Sequence, residues 1–114
     1  MIVYGIKNCD TVKKARRWLD VQAVVYQFHD LRADGLDRQT LKSWLHSVDW
    51  QTLLNKRGTT WRKLEDPRKE ALDKTSAIDL MLDNPMLIKR PILYDANGCQ
   101  VGFNEQEYQN RYGH

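Results

Sequence analysis

The chain is poor in cysteine, with only Cys9 and Cys99 among its 114 residues. Two are too few for a disulfide scaffold, and we expect a cytoplasmic protein kept in a reducing compartment. Long apolar runs are also missing. Hydrophobic residues make up 41% of the chain but lie in short blocks between charges, and none approaches the roughly 20 residues of a membrane span. No membrane association is expected. Residues 1–10 lack a basic stretch followed by an apolar core, so they do not read as a signal peptide. There is no glycine-rich phosphate loop, no internal repeat and no linker. His29, His46 and His114 are scattered, without metal-ligand spacing to either cysteine, so no metal site is expected. Nor is there a strong bias of charge. Eighteen Lys and Arg against 15 Asp and Glu leave +3, a mild excess that suits a small anionic substrate near a basic cluster. It does not imply nucleic acid, because the basic cluster Lys13, Lys14, Arg16 and Arg17 is followed closely by acids.

What the chain does have excludes disorder: four Trp, five Tyr and two Phe, interleaved with aliphatic residues. Its length fits one domain. Residues 1–5 form a short apolar segment closed by Gly5 and read as a buried strand. After the loop at residues 7–11, Val12, Ala15 and Leu19 share one helical face, with Asp10 or Thr11 as the cap. Residues 21–28 read as a second strand, with Val24, Tyr26 and Phe28 on one side. Strand, helix, strand implies a parallel pair. The middle reads as helical. Asp37 caps a helix with inner face Leu41, Trp44, Leu45 and Val48, and Asp49 opens a short one that stops near Gly58. Single turns follow at 60–64 and 67–72, and Ser76 with Asp79 resembles a capping box ended by Asn84-Pro85. The apolar runs 92–94 and 99–103 flank Asp95-Ala96-Asn97-Gly98, whose Asn-Gly pair is a strong hairpin signal, and Asn104 caps a last helix holding Tyr108 and Tyr112. This order is that of an α/β, thioredoxin-like fold: a small mixed four-stranded sheet with a helical insertion.

Cys9 is the sharpest chemical feature. It lies after a strand and immediately before a helix, where free amides favour negative charge and therefore a thiolate, helped by Lys7, Lys13 and Lys14 if they face the sulfur. The plainer reading is a cysteine that only caps or packs. No Cys-x-x-Cys exists, because the residue three along is Val12. Arg90-Pro91 precedes the third strand and is a candidate cis bond aiming Arg90 at the Cys9 loop. Spacing alone favours a solvated arginine and a proline that simply starts the strand. The basic turn Asn55-Lys56-Arg57-Gly58 can bind an anion or complement a helix C-terminus. Cys99 shares a strand face with Val101 and Phe103 and reads as a small core residue. The tryptophans recur beside leucines and read as packing.

Three stretches together resemble the arsenate reductase (ArsC) family: Tyr4-Gly5-Ile6-Lys7-Asn8-Cys9-Asp10-Thr11-Val12-Lys13-Lys14-Ala15, Asn55-Lys56-Arg57-Gly58-Thr59-Thr60-Trp61, and Lys89-Arg90-Pro91-Ile92-Leu93. The likeness is greatest to the YffB-type branch, with Spx a more distant relative, and it runs over essentially the whole chain. It implies a thioredoxin-like fold and a catalytic thiolate at Cys9. In arsenate reductases that thiolate attacks arsenate, and glutathione with glutaredoxin resolves the adduct. Arg90 matches the arginine that binds the oxyanion. A second anion-binding arginine aligns with Asn55, and Arg57, two residues on, is carried over in its place. The resemblance therefore implies Cys9 as nucleophile, and Arg90, Arg57, Lys7 and Asn8 as anion or glutathione contacts. Pro91 shapes the site, glutathione is the co-substrate, glutaredoxin a candidate partner, and a monomer is expected.

Three positions depart from the arsenate reductases. Gly5 stands where they have histidine, Val12 where they have serine, and Asn104 where they have a third arginine. Arsenate needs several charge-assisted hydrogen bonds. The expectation is a glutathione-dependent thiol oxidoreductase with an unassigned substrate, with arsenate reduction proper as one alternative. The other is an Spx-like regulator that binds RNA polymerase, against which stands the missing Cys-x-x-Cys.

Overall fold

The structure is a computed structural model that describes residues 1–113; His114 lies outside the described residues. The chain divides into two compact units, residues 1–34 with 90–114, and residues 35–89. The first carries a mixed four-stranded sheet of β1 (Ile2–Gly5), β2 (Gln27–Asp30), β3 (Ile92–Asp95) and β4 (Gly98–Val101), in the order β2-β1-β3-β4. β1 pairs parallel with β2 and antiparallel with β3, and β3 pairs antiparallel with β4. Helices α1 (Asp10–Val21) and α6 (Glu105–Tyr112) complete this unit. The fold is thioredoxin-like, with residues 35–89 as its helical insertion between β2 and β3. No helix among the described residues is long and apolar enough to cross a membrane.

Side-chain alternation explains the core of the sheet unit. Val3 and Leu93 face one side and join Ala15 and Leu19 of α1 and Tyr108 of α6, all fully buried. Tyr108 is met edge-on by Phe103, Trp18 and Tyr112, with centroids 4.8, 5.6 and 6.3 Å away. Its hydroxyl donates to the Gly102 carbonyl at 2.8 Å. Aromatic pairs of this kind contribute about 0.5–1.5 kcal/mol each beyond their buried area, so one residue fixes α6 to the sheet.

The elements differ from the expectations in instructive places. The α1 cap is Cys9, not Asp10 or Thr11: Asp10 is already helical. α1 ends in a Schellman motif, with Ala23 N–H bonded to the Asp20 carbonyl and Val24 N–H to that of Leu19, which puts Ala23 at φ 57°. That turn occupies the residues read as the start of the second strand, so β2 begins only at Gln27, although Val24 and Tyr26 still pack on the core. Gly102, at φ 81°, breaks the alternation after β4. Phe103 therefore joins the Tyr108 cluster, while Cys99 and Val101 point to the opposite face. Cys99 is buried there as expected, 8% exposed.

The helical unit contains α2 (Arg38–Trp44), α3 (Trp50–Leu53), α4 (Thr59–Lys63) and α5 (Lys74–Asp83), with 3-10 turns at Pro67–Glu70 and Pro85–Leu87. Asp37 caps α2 as read, accepting from Thr40 N–H at 2.8 Å. Only Leu41 and Trp44 of its expected inner face are fully buried, because α2 stops at Trp44 before reaching Val48. The capping box of α5 is Asp73 with Ser76, one turn earlier than Ser76 with Asp79. Ser76 answers the cap instead of being it, and Asp79 is taken by Arg38 at 2.6 Å.

Candidate active site

Four segments meet at one end of the sheet because of strand direction. β1 and the parallel β2 end there, with Gly5 opposite Asp30. β3 begins there, with Ile92 opposite both Tyr4 and Val101, and β4 ends there. The chain leaving β1 is Lys7-Asn8-Cys9, and the chain entering β3 is Arg90-Pro91. Backbone bonds tie the segments pairwise: Leu31 N–H to the Gly5 carbonyl at 2.7 Å, and Gly102 N–H to the Pro91 carbonyl at 2.8 Å. The topology thus brings Cys9, Lys7, Asn8, Arg90 and Pro91 to one sheet end. Arg57 belongs to the helical unit. It is exposed, and its N–H donates to Asn55 Oδ1 at 3.0 Å.

Cys9 has the extended backbone of an N-cap, φ −134° and ψ 123°, and its carbonyl accepts the first helical bond from Lys13 N–H at 2.9 Å. A serine or aspartate here would spend its side chain on the helix amides. The Cys9 side chain makes no such bond, so the half-buried sulfur stands uncommitted beside the amide end of α1. Lys7 and Asn8 are exposed.

Arg90 is half-buried, with Nε fully enclosed, and Pro91 is buried. The peptide between them is cis. Both observations correct the spacing-based reading of a solvated arginine before an ordinary strand start. Asn104 is committed elsewhere: its Oδ1 accepts from Glu107 N–H at 3.0 Å as the cap of α6.

Gly5 and Val12 turn out to be one feature. A Cβ placed on Gly5 would lie 2.9 and 3.0 Å from the two methyls of Val12, which is fully buried. The branched, stiff valine fills the volume a side chain at position 5 would need. Two positions that depart from the arsenate reductases are therefore packed against each other, and the wall they form below the Cys9 loop carries no side-chain donor.

Sequence reading passed over Asp30. It is the one buried charged residue among the described residues, 8% exposed at the end of β2. Its Oδ1 accepts from the N–H groups of Arg32 and Ala33 at 2.8 and 3.0 Å, and its carboxylate also takes the Lys7 N–H of the Cys9 loop. The Ala33 amide lowers its pKa most. Burial opposes that, and the Arg32 and Lys7 amides with the Lys7 charge complete the net fall. The signal was available: an aspartate closing a strand with the turn residues Arg32-Ala33-Asp34-Gly35 behind it.

Residues 4–111 match the ArsC family. The chain is 47% identical to the YffB (PA3664) protein, whose solved structure superposes with a TM-score of 0.91 over 97% of each chain. It is 50% identical over 107 residues to a Haemophilus influenzae protein described as uncharacterized, spanning 94% of both. It is 36% identical over 102 residues to the global transcriptional regulator Spx of Streptococcus pyogenes, spanning 88% of this chain and 75% of Spx.

Proposed function

Because the chain belongs to the ArsC family, we propose that it is a glutathione-dependent thiol oxidoreductase with Cys9 as its nucleophile. The observation that carries this reading is the Cys9 sulfur, half-buried and unbonded at the start of α1, where a serine-like cap would have been tied down. The Cys9 thiolate attacks one sulfur of a disulfide, and the other sulfur leaves as a thiolate. Glutathione then attacks the mixed disulfide, freeing Cys9 and carrying the substrate sulfur away as a glutathione disulfide. A second glutathione reduces that product, so each substrate disulfide consumes two glutathiones and yields one oxidised glutathione. Arg90 holds a glutathione carboxylate or another anionic group, with Lys7 and Asn8 as further contacts, and glutaredoxin is a candidate downstream partner.

Arsenate is a poor substrate on this reading. Gly5 and Val12 supply no donor, and Asn104 is neutral and already caps α6. Each missing hydrogen bond to a charged group is worth roughly 1.5–3 kcal/mol, or about ten- to more than a hundredfold in binding. The test is mass spectrometry after exposure to oxidised glutathione. Wild type should gain one glutathione and Cys9→Ser none, and arsenate should drive little turnover with glutathione and glutaredoxin present. Retention of the adduct in Cys9→Ser overturns the assignment of Cys9. Arsenate turnover at the rate of an arsenate reductase overturns the substrate reading.

The likeness to Spx supports a second reading, a regulator that binds RNA polymerase. Recovery of polymerase on the immobilised protein, without glutathione turnover, would favour it over the enzyme.

A further inference from the structure

Residues four apart along an α-helix lie in one slowly winding row. From Cys9 that row continues through Lys13 and Arg17 to Val21, all three exposed. At 1.5 Å per residue they stand about 6, 12 and 18 Å from the cysteine along the axis. Val21 is 74% exposed, and Val25, just beyond the helix, is 89% exposed; they are the large hydrophobic residues most open to solvent among the described residues. A shallow groove of about 500 Å³ flanks the row, lined by Lys13, Arg16, Arg17, Asp20 and Val21.

The charges of this groove are not balanced internally. Asp20 is its one carboxylate, and it accepts the Tyr26 hydroxyl at 3.1 Å. Arg16 donates to that same hydroxyl at 3.2 Å and lies 4.0 Å over the Phe28 ring. Lys13 and Arg17 take part in none of the ion pairs of the described residues. The surface therefore presents a thiol, then two unbalanced cations, then an apolar tip.

We infer that this row is the docking surface for an acidic polypeptide whose cysteine exchanges with Cys9. The inference rests on the thiol reading of Cys9 and names its substrate class. A fully extended tripeptide spans at most about 10 Å, so glutathione bonded to Cys9 stops short of Val21. A longer chain with carboxylates a few residues from its cysteine meets both cations, and an apolar side chain beyond them covers the valines. A nucleic acid fits less well: its backbone has nothing apolar for the valines, and the row offers no aromatic for stacking.

The experiment uses three synthetic peptides of one length, each with a single cysteine disulfide-bonded to thionitrobenzoate. Glutamates, glutamines or lysines follow the cysteine. Cys9 Sγ bonds to the peptide sulfur as the S–S bond breaks, and thionitrobenzoate leaves as a coloured thiolate, so one disulfide replaces another. At low salt the acidic peptide should react about tenfold faster than the neutral one, and the basic peptide more slowly than both. The ratio should collapse at high salt. Arg17→Glu should bring the acidic-to-neutral ratio close to one and Arg17→Gln should reduce it part of the way; because ratios are compared, any change in intrinsic Cys9 reactivity cancels. Equal rates for the three peptides overturn the docking surface and leave the thiol reading standing. No release that depends on Cys9 overturns both. Stronger suppression of the reaction by a single-stranded oligonucleotide than by a free acidic peptide of equal charge makes nucleic acid the occupant and overturns the inference.

Discussion

The sheet unit and the helical unit both lean on aspartate, the helical unit mainly for caps and the sheet unit mainly for ties between segments. In the helical unit Asp37 and Asp73 each cap the helix that follows, bonding three residues ahead. Asp66 caps the Pro67–Glu70 turn and pairs with Arg68, two residues on, which holds its carboxyl at about 2. In the sheet unit the carboxylates join segments far apart in sequence. Asp30 reaches back to Lys7. Asp95 accepts from Arg111 at 2.8 Å and from the Tyr112 hydroxyl at 2.7 Å, tying the end of α6 to the β3–β4 hairpin. The caps of the helical unit are local and its longer reaches are the ion pairs Arg38–Asp79 and Arg68–Asp83, whereas the carboxylates of Asp30 and Asp95 in the sheet unit add ties to distant segments to their local bonds. The proposed nucleophile and Arg90 sit on the sheet unit.

The largest effect expected from this contrast is kinetic. Cys9 lies on the rim of the sheet unit and Cys99 in its interior. Alkylation under native conditions should label Cys9 on the order of a hundredfold faster than Cys99, whose reaction waits on opening of the sheet. Comparable rates, read by mass spectrometry over time, would mean that the sheet unit opens as easily as a frayed helix.

The next largest is thermodynamic. Asp95→Ala removes the acceptor of the Tyr112 hydroxyl and the charged acceptor of Arg111, which keeps only the longer bond to the Gly98 carbonyl, and should cost about 2–3 kcal/mol, against about 1 kcal/mol for the cap change Asp37→Ala. Burial alone would raise the pKa of Asp95, but the bonds from Arg111, Tyr112 and the Asn97 amide outweigh it and leave it lowered. Its contribution is therefore complete above the ordinary carboxylate value near pH 4 and is lost as pH falls through the lower folded value. Asp95→Asn should flatten that acid limb in urea titrations at stepped pH. Equal costs for Asp95→Ala and Asp37→Ala would erase the distinction between the units.

Arg90→Ala should slow formation of the glutathione adduct about ten- to a hundredfold, as for a charge-assisted bond. The exposed Arg57 should matter only about two- to fivefold when changed to alanine. The reverse order would move anion binding to the helical unit.

The smallest effect concerns the end of α1. Ala23 adopts a left-handed conformation that glycine takes without steric penalty. Ala23→Gly should raise stability by about 0.5–1 kcal/mol in thermal melts, the steric relief being partly offset by the entropy of a freer unfolded chain.

Local signals carried most of the fold. The hairpin turn, the Asn104 and Asp37 caps and the Val12, Ala15, Leu19 face are each written within a few residues, and each stands as read. The expectations strayed where a backbone angle decided. Ala23 at positive φ delayed β2, and Gly102 sent Phe103 to the other side of the sheet. No periodicity announces either. At the site, Cys9 was legible because strand, cysteine, helix is a local pattern. The enclosure of Arg90 and the role of Asp30 were not, since both depend on which strand ends become neighbours once the sheet is assembled.

The contact between Gly5 and Val12 also constrains descent. A side chain introduced at position 5 while Val12 remains meets two methyls at no more than 3.0 Å in a buried wall. Residue 12 can shrink first at the cost of a small cavity, but residue 5 cannot grow first without displacing packed atoms. Any lineage passing between a histidine–serine pair and this glycine–valine pair has therefore had a preferred order of substitution, with the pocket emptied before it is filled.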